Sequence, residues 1–258
     1  MQIAERARDP AIRHRYAVRL GDTALVAGHR LSEWCGRAPT LEEELALANM
    51  GLDWLGQARV LLDHAAACEG LGRSGDDLAF LRDAGEFRNL LLAEQPNGDF
   101  AMTMARQWFL STHAMLQWRA LAASADETLA AVAAKAEKES AYHVRHVSEW
   151  VIRLGDGTDE SHARMQTAVD LLWMYTGELF EADAVDRAAV ACGIGHAPEA
   201  LKPAWDAAID PVMTRATLQR PKDGWMAGGG KAGRHTEHLG HLLAQMQFLQ
   251  RAYPGAAW

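Results

Sequence analysis

The sequence contains only three cysteines among its 258 residues, Cys35, Cys68 and Cys192, and no two of them form a C-x-x-C pair. Disulfide frameworks and structural zinc sites need more cysteines at shorter spacing. The sequence also lacks an uninterrupted apolar run of about 18 residues, which a membrane-spanning helix requires. The arginine-rich segment 1–16 has no apolar core typical of a signal peptide. We therefore expect a cytoplasmic protein with reduced thiols and no membrane span.

Basic residues are outnumbered by acidic ones. The chain has 26 Lys and Arg residues against 34 Asp and Glu residues, which gives a formal net charge of −8 at pH 7. Binding to nucleic acid requires a basic surface that neutralises phosphates. No block of basic residues offsets the acidic balance, so we expect no nucleic-acid partner. Hydrophobic residues make up 49% of the chain, which is enough for a single domain spanning 1–258.

No segment alternates between apolar and polar residues as a half-buried strand does, whereas apolar residues recur at helical spacing along most of the chain. The sequence therefore predicts an all-α fold. A capping box of Thr40 and Glu43 is expected to open the second helix, and Pro211 to kink the eighth. Spacing and cap residues predict helices at 16–36, 41–68, 76–83, 100–122, 126–154, 159–181, 184–191, 198–216 and 235–253.

The helix predicted at 41–68 is apolar on two sides, which is typical of a central helix in a bundle. A polar line separates the two apolar stripes. From sequence alone this line faces either water or the place where a metal centre would lie. One stripe consists of Leu41, Leu45, Ala48, Leu52 and Leu55, the other of Leu47, Trp54, Ala58, Leu61 and Ala65, and the polar line of Asn49, Asp53, Gln57 and His64.

The helix predicted at 126–154 has Ser140 and His143 on its inward face. Ferritin-like bundles build a di-metal centre at such positions from one Glu on each of two helices and a Glu-x-x-His pair on each of the other two. Here the residue three before His143 is Ser140, and a serine hydroxyl is a poor substitute for a charged carboxylate ligand of iron. Ser111 occupies the central inward position of the helix at 100–122. The helix at 41–68 has no Glu-x-x-His pair.

Three further clusters contain residue types that bind metals. In each of them the spacing also fits structural pairs between neighbouring turns of one helix, which are the commoner interpretation. None has the His-Glu-x-x-His order of zinc enzymes. The clusters consist of Glu139 with His143 and His146, of His235 with Glu237, His238 and His241, and of His29 with Glu33.

Five segments resemble one family, the C subunits of the multicomponent phenylacetyl-CoA epoxidases (PaaC) of aerobic phenylacetate degradation. The similarity spans nearly the whole chain and includes long segments of unusual sequence. The segments are RLGDTALVAGHRLSEWCGRAP (19–39), LALANMGLDWLGQAR (45–59), NLLLAEQPNGDFA (89–101), KESAYHVRHVSEWVIRLGDGT (138–158) and GGKAGRHTEHLGHLLAQMQFLQRAYPGAAW (229–258).

The resemblance implies a ferritin-like four-helix bundle with additional C-terminal helices. In that family the related A subunit carries the di-iron centre and acts on phenylacetyl-CoA, while the C subunit has lost the ligands and serves as its structural partner. A separate reductase, with NADPH, FAD and an iron–sulfur cluster, supplies electrons. The resemblance therefore implies that this chain binds no cofactor of its own. It also implies that six positions are remnants of a former centre, namely Glu33, Asp53, Gln57, Ser111, Ser140 and His143.

Three hypotheses for function follow. The first is a non-catalytic subunit that pairs with the A subunit and, through it, with the other subunits and the reductase. The second is a ferritin-like oxygenase acting on its own, with one metal ion on Glu33, Glu139 and His143. The third is a homodimeric binding bundle.

The region 225–241 is our candidate for contact with a partner. It combines an exposed tryptophan, a run of glycines and a histidine-rich helix start. The candidate contact residues are Trp225, Lys231, His235 and His238.

Overall fold

The computed structural model describes residues 9–256, and the regular structure in that range is helical throughout. The predicted all-α class is thereby confirmed. No helix within this range is long and apolar enough to cross a membrane. The α-helices are α1 (Pro10–Ser32), α2 (Leu41–Glu69), α3 (Gly75–Phe80), α4 (Leu91–Glu94), α5 (Phe100–Leu121), α6 (Glu127–Gly155), α7 (Asp159–Trp173), α8 (Ala184–Ala191), α9 (Lys202–Arg215), α10 (Glu237–Met246) and α11 (Phe248–Ala252). Short 3₁₀ helices lie at Ala84–Glu86, Gly177–Phe180, Pro198–Leu201 and Gly230–Ala232.

Four long helices form the ferritin-like bundle that the sequence predicted. Helices α1 and α2 make one antiparallel hairpin, α5 and α6 make another, and the two hairpins meet where α2 contacts α6. The additional helices cover the outside: α7 and α9 pack on α5 and α6, whereas α4, α8 and α10 pack on α1. Apolar side chains from both hairpins and from the covering helices form one connected core.

Glycines set the close approach of α1 and α2. A Cβ atom at Gly21 would lie 2.8 Å from Cδ2 of Leu62, and one at Gly28 would lie 2.8 Å from Cγ of Leu55. Both distances are shorter than a carbon–carbon contact allows. The two contacts also fix the register of the hairpin, because they place residues 24–27 of α1 opposite residues 56–59 of α2.

The helix that is buried on nearly all sides is α5. The prediction that the helix at 41–68 is the central one, with both of its apolar stripes buried, was wrong. The stripe that includes Trp54 and Leu61 is buried, but Leu41, Leu45 and Leu52 are 69%, 58% and 65% exposed. The difference arises because α5 is covered by α6, α7 and α9, whereas no described element covers Leu41, Leu45 and Leu52 of α2.

Several observed helix ends and caps differ from the predicted ones. Thr40 caps α2, but the carboxylate of Glu43 bonds to His146 and does not close a capping box. The predicted helix 159–181 ends at Trp173 and resumes as a 3₁₀ turn. The predicted helix 235–253 breaks at Gln247, whose side-chain amide donates to the carbonyl oxygens of Ala79 and Arg82, at 3.0 Å each.

Candidate functional site

Polar side chains join α2 to α6 along the length of their contact. Three of the four residues in the predicted polar line of α2 bond to residues of α6 or to its N-cap. Asn49, the fourth, is exposed. The cross-helix pairs are Glu43 with His146 at 3.0 Å, Asp53 with His143 at 3.0 Å, Gln57 with Glu139 at 2.9 Å, and His64 with Asp126 at 2.9 Å.

The pair of Asp53 and His143 lies near the middle of this row. Nε2 of His143 is 3.0 Å from Oδ2 of Asp53, and the imidazole is completely buried beside the ring of Trp54. The carboxylate of Asp53 is 35% exposed, so water solvates its outer side. A buried imidazole bonded to a half-exposed carboxylate has the hydrogen-bonding partner that burial requires.

The neighbouring residues Gln57 and Glu139 are also bonded to each other. Nε2 of Gln57 donates to one oxygen of Glu139, and Nζ of Lys135 lies 2.8 Å from the other oxygen. The carboxylate of Glu139 is thus neutralised by a lysine one turn away on its own helix. Both pairs hold the two hairpins together.

Several side chains of α5 and α6 that point into the bundle near these two pairs are neutral. Ser111 and Ser140 are completely buried, as is Gln107 one turn before Ser111. The polar side-chain atoms of all three residues have no hydrogen-bond partner within residues 9–256, and the same holds for Nδ1 of His143. A hydroxyl or an amide supplies no negative charge to a metal ion.

The structure does not bring Glu33 to this region. Glu33 is the C-cap of α1, and its carboxylate accepts bonds of 2.8 Å from Nη1 of Arg30 and from Nδ2 of Asn97. The register set by the two glycine contacts places Val26 of α1, which is completely buried, at the level of Gln57. Glu33 lies seven residues beyond Val26, which is about 10 Å along the helix.

A di-iron centre does not fit these residues. Such a centre uses four inward carboxylates and two histidines, whereas the inward positions of α5 and α6 here hold two serines and one histidine that is bonded to Asp53. Within residues 9–256 no group of three His, Cys, Asp or Glu side chains is arranged to hold a metal ion. In particular, Glu33 lies apart from the pairs that contain Glu139 and His143.

The four candidate partner contacts are not alike in their surroundings. Trp225 is 76% exposed. Lys231 bonds to Asp186 at 2.9 Å with only 12% of its side chain exposed, and the ring of His235 is 4% exposed. His238 is half-buried, and its carbonyl oxygen accepts a bond from Arg30. Contact of these residues with a partner stays a prediction, although two of the side chains already have partners inside the chain.

His235 belongs to a buried ionic contact. Its Nδ1 lies 2.8 Å from Glu94, which is completely buried and also accepts from the backbone and hydroxyl of Thr236. Nε2 lies 3.0 Å from the carbonyl oxygen of Phe87. Burial opposes a charge on the ring, but the bonds to Glu94 and Phe87 outweigh it and raise the pKa of His235. This contact attaches the start of α10 to α4.

Sequence reasoning missed Glu178, which holds the glycine run. One carboxylate oxygen of this buried residue accepts from the backbone N–H groups of Gly229 at 2.8 Å, Gly230 at 2.7 Å and Lys231 at 3.4 Å. The other oxygen accepts from the backbone N–H of Leu91 at 2.7 Å. Successive N–H groups of this kind form an anion-binding concavity, and an internal carboxylate fills this one. The glycine run therefore offers no phosphate site.

Comparison with known proteins gives a consistent result. A family model described as phenylacetic acid catabolic protein matches residues 2–258. The C subunit of the 1,2-phenylacetyl-CoA epoxidase of Escherichia coli (strain K12) is 51% identical to this chain over 243 residues, which cover 94% of this chain and 98% of that protein. The resemblance carried by the five sequence segments is thereby confirmed. The chain belongs to the phenylacetic acid catabolic protein family.

Proposed function

We propose that this chain is the C subunit of a phenylacetyl-CoA epoxidase and acts as the structural partner of the catalytic A subunit, without a di-iron centre of its own. One observation carries the proposal: the inward positions of the bundle hold buried, uncharged side chains at Ser111 and Ser140. A pair of ferrous ions needs several carboxylates to neutralise its charge, and the buried positions here provide none.

The remaining polar residues at this level support a structural role. Asp53, Gln57, Glu139 and His143 are bonded to one another across the two hairpins, and Lys135 neutralises Glu139. Side chains that hydrogen-bond to each other across two hairpins stabilise a bundle.

The exposed stripe on α2 is the surface that we assign to the A subunit. Its members Leu41, Leu45 and Leu52 follow, with Ala48, an alternating spacing of four and three residues, which is the spacing of a helix that packs along another helix. Full burial of one exposed leucine contributes about 1.5–3 kcal/mol. A permanent interface of about 2,000 Å² or more is apolar in its centre, and this stripe supplies such a centre.

Reconstitution tests the proposal. The A subunit and the reductase are assayed for phenylacetyl-CoA-dependent oxygen uptake with and without this chain, and this chain is also assayed with the reductase alone. We expect activity only when the A subunit and this chain are both present. Full activity without this chain would show that it is not required, and activity without the A subunit would show that this chain is itself catalytic.

A further inference from the structure

A groove of about 450 Å³ lies on the outer side of α1, between α3 and α8. Ligand pockets for small molecules have volumes of about 300–1,000 Å³, so the groove is large enough for a nucleotide-sized group. Its wall has six cationic side chains against two carboxylates, in a chain whose formal net charge is −8. The cations are Arg15, Arg19, Arg73, Arg82, Arg88 and Lys231, and the carboxylates are Glu86 and Asp183.

Two poorly exposed arginines of the groove are held in place by bonds to carboxylates. Arg19 forms a two-pronged contact with Asp183, at 3.0 and 2.9 Å, and a third bond to Asp186 at 2.7 Å. Arg82 is bonded to both oxygens of the completely buried Asp22. Their guanidinium groups are therefore already ordered, and a ligand that contacts them loses little side-chain entropy on binding.

Two other arginines lack a carboxylate bonded to the side chain. The side chain of Arg15 is exposed and forms no hydrogen bond or ion pair with any residue in the range 9–256. The guanidinium group of Arg88 donates only to backbone carbonyl oxygens, those of Gly85 at 2.8 Å and Phe87 at 2.6 Å. Both side chains retain donors and positive charge for an incoming anion, and the planar guanidinium group matches the geometry of a phosphate.

The groove ends at a small inner cavity. Arg19, Arg88 and Lys231 line both spaces, and the inner cavity has a volume of about 40 Å³. One water molecule needs about 10–15 Å³ of such space, so the cavity accommodates water and is far too small for a nucleotide-sized group. A ligand therefore remains in the groove, where the cations are.

We propose that this groove binds the diphosphate end of a nucleotide-type ligand, a chemistry that coenzyme A thioesters and free nucleoside diphosphates share. A small ligand is favoured over an acidic segment of a protein because Arg19 and Arg82 are only 6% and 5% exposed, so that only a group that enters the groove reaches them. The choice of phenylacetyl-CoA as the first ligand to test rests on the proposed function. The volume and the charge of the groove do not depend on that function.

Calorimetric titration of the full chain with phenylacetyl-CoA, and separately with ADP, tests the inference. We expect binding that weakens as salt concentration rises. The variant Arg15→Gln should weaken binding, and the double variant with Arg88→Gln should weaken it by roughly tenfold or more, since two charged contacts are lost. The matched control is Arg215→Gln, an exposed arginine at the end of α9. Circular dichroism checks that each variant folds.

Comparison of the two titrations identifies which kind of molecule supplies the diphosphate. Tighter binding of phenylacetyl-CoA supports the inference with the thioester as ligand, and tighter or equal binding of ADP supports it with free nucleotides. The inference would be overturned if neither ligand bound at a concentration of about 1 mM. A dissociation constant of that size corresponds to a binding free energy of only about −4 kcal/mol. Equal binding by the wild type and the double variant would also overturn the inference.

Association with the A subunit is measured on the same variants by gel filtration. If neither ligand binds and the double variant no longer associates, the groove contacts protein and this inference is wrong. If neither ligand binds and association is intact, only this inference fails, because the proposed function concerns assembly.

Discussion

His143 on α6 and Asp53 on α2 meet across the two hairpins of the bundle, with Nε2 of the imidazole 3.0 Å from a carboxylate oxygen. His143 is the one residue of its predicted Glu-x-x-His pair that is present, and the structure uses it as a link between helices. The other ring nitrogen, Nδ1, is buried without a partner within residues 9–256. The bond to Asp53 is thus the side-chain hydrogen bond that anchors this ring.

The variant His143→Leu should fold, with a free energy of unfolding changed by roughly 0–3 kcal/mol in either direction. The bond to Asp53 is lost, but the buried unpartnered Nδ1 is lost too, and the half-exposed carboxylate remains in contact with water. Urea unfolding monitored by circular dichroism measures the change. Asp53→Asn is the matched control, because it keeps a hydrogen-bonding group opposite the imidazole.

The same variant distinguishes a structural from a chemical role. In a reconstituted complex with the A subunit and reductase, we expect turnover close to that of the wild type. Loss of turnover with normal folding and normal assembly would show that His143 takes part in the chemistry, contrary to the proposed function.

Local patterns in the sequence were sufficient to predict the inward face of α6 and its N-cap. Ser140 and His143 are both completely buried, because helical periodicity depends only on spacing along one element. The side chain of Asp126 accepts from the backbone N–H groups of Thr128 and Leu129, as expected of a capping residue.

Contacts between distant segments could not be predicted in this way. The stripe of Leu41, Leu45 and Leu52 has the same pattern whether a leucine is buried in its own chain or remains available to another protein. Glu178 carries no local signal, since the N–H groups of the glycine run that it binds lie about 50 residues further along the chain. Glu33 lies near a helix end, and its distance from the inward cluster depends on the register of α1 against α2.

Iron content provides a direct check on the proposed absence of a di-iron centre. Purified chain that is incubated with ferrous iron and dialysed should retain well below one iron per chain, because the buried inward positions supply no carboxylate. Elemental analysis measures the iron, and the A subunit treated in parallel serves as the positive control. Two tightly bound irons per chain would contradict the proposed function.

The double variant Leu45→Glu, Leu52→Glu should weaken association with the A subunit by roughly a hundredfold or more, since two apolar contacts of about 1.5–3 kcal/mol each are replaced by charges. Both leucines are exposed in this chain, so its own stability should change little. Analytical ultracentrifugation of the mixed subunits measures the dissociation constant.

Leu171→Glu is the control for this pair, because Leu171 is similarly exposed, at 55%, but lies on α7. We expect this control to associate as the wild type does. Equal association of the Leu45→Glu, Leu52→Glu variant and the wild type would show that the A subunit contacts another surface.

Stability in acid should depend on Asp126, which joins α6 to both helices of the other hairpin. Its carboxylate accepts from His64 at 2.9 Å and pairs with Nε of Arg13. Burial opposes ionisation of Asp126, but the hydrogen bonds from His64, Arg13 and the backbone outweigh it and hold the pKa well below its ordinary value. A carboxyl whose pKa is lower in the folded state stabilises the protein at every pH above the unfolded-state value, which is about 3.9.

Asp126→Asn should therefore lower the free energy of unfolding at pH 7 by about 1–3 kcal/mol, the usual contribution of hydrogen bonds to a charged group. Asparagine is itself a good N-cap, so the loss reports the charge and not the cap. The difference between variant and wild type should be constant above about pH 5 and should shrink as the pH falls below about 4, because the wild-type carboxylate then takes up a proton on unfolding. Urea unfolding at a series of pH values measures it. A difference that persists undiminished at about pH 2 would show that the stabilisation does not come from the ionised carboxylate.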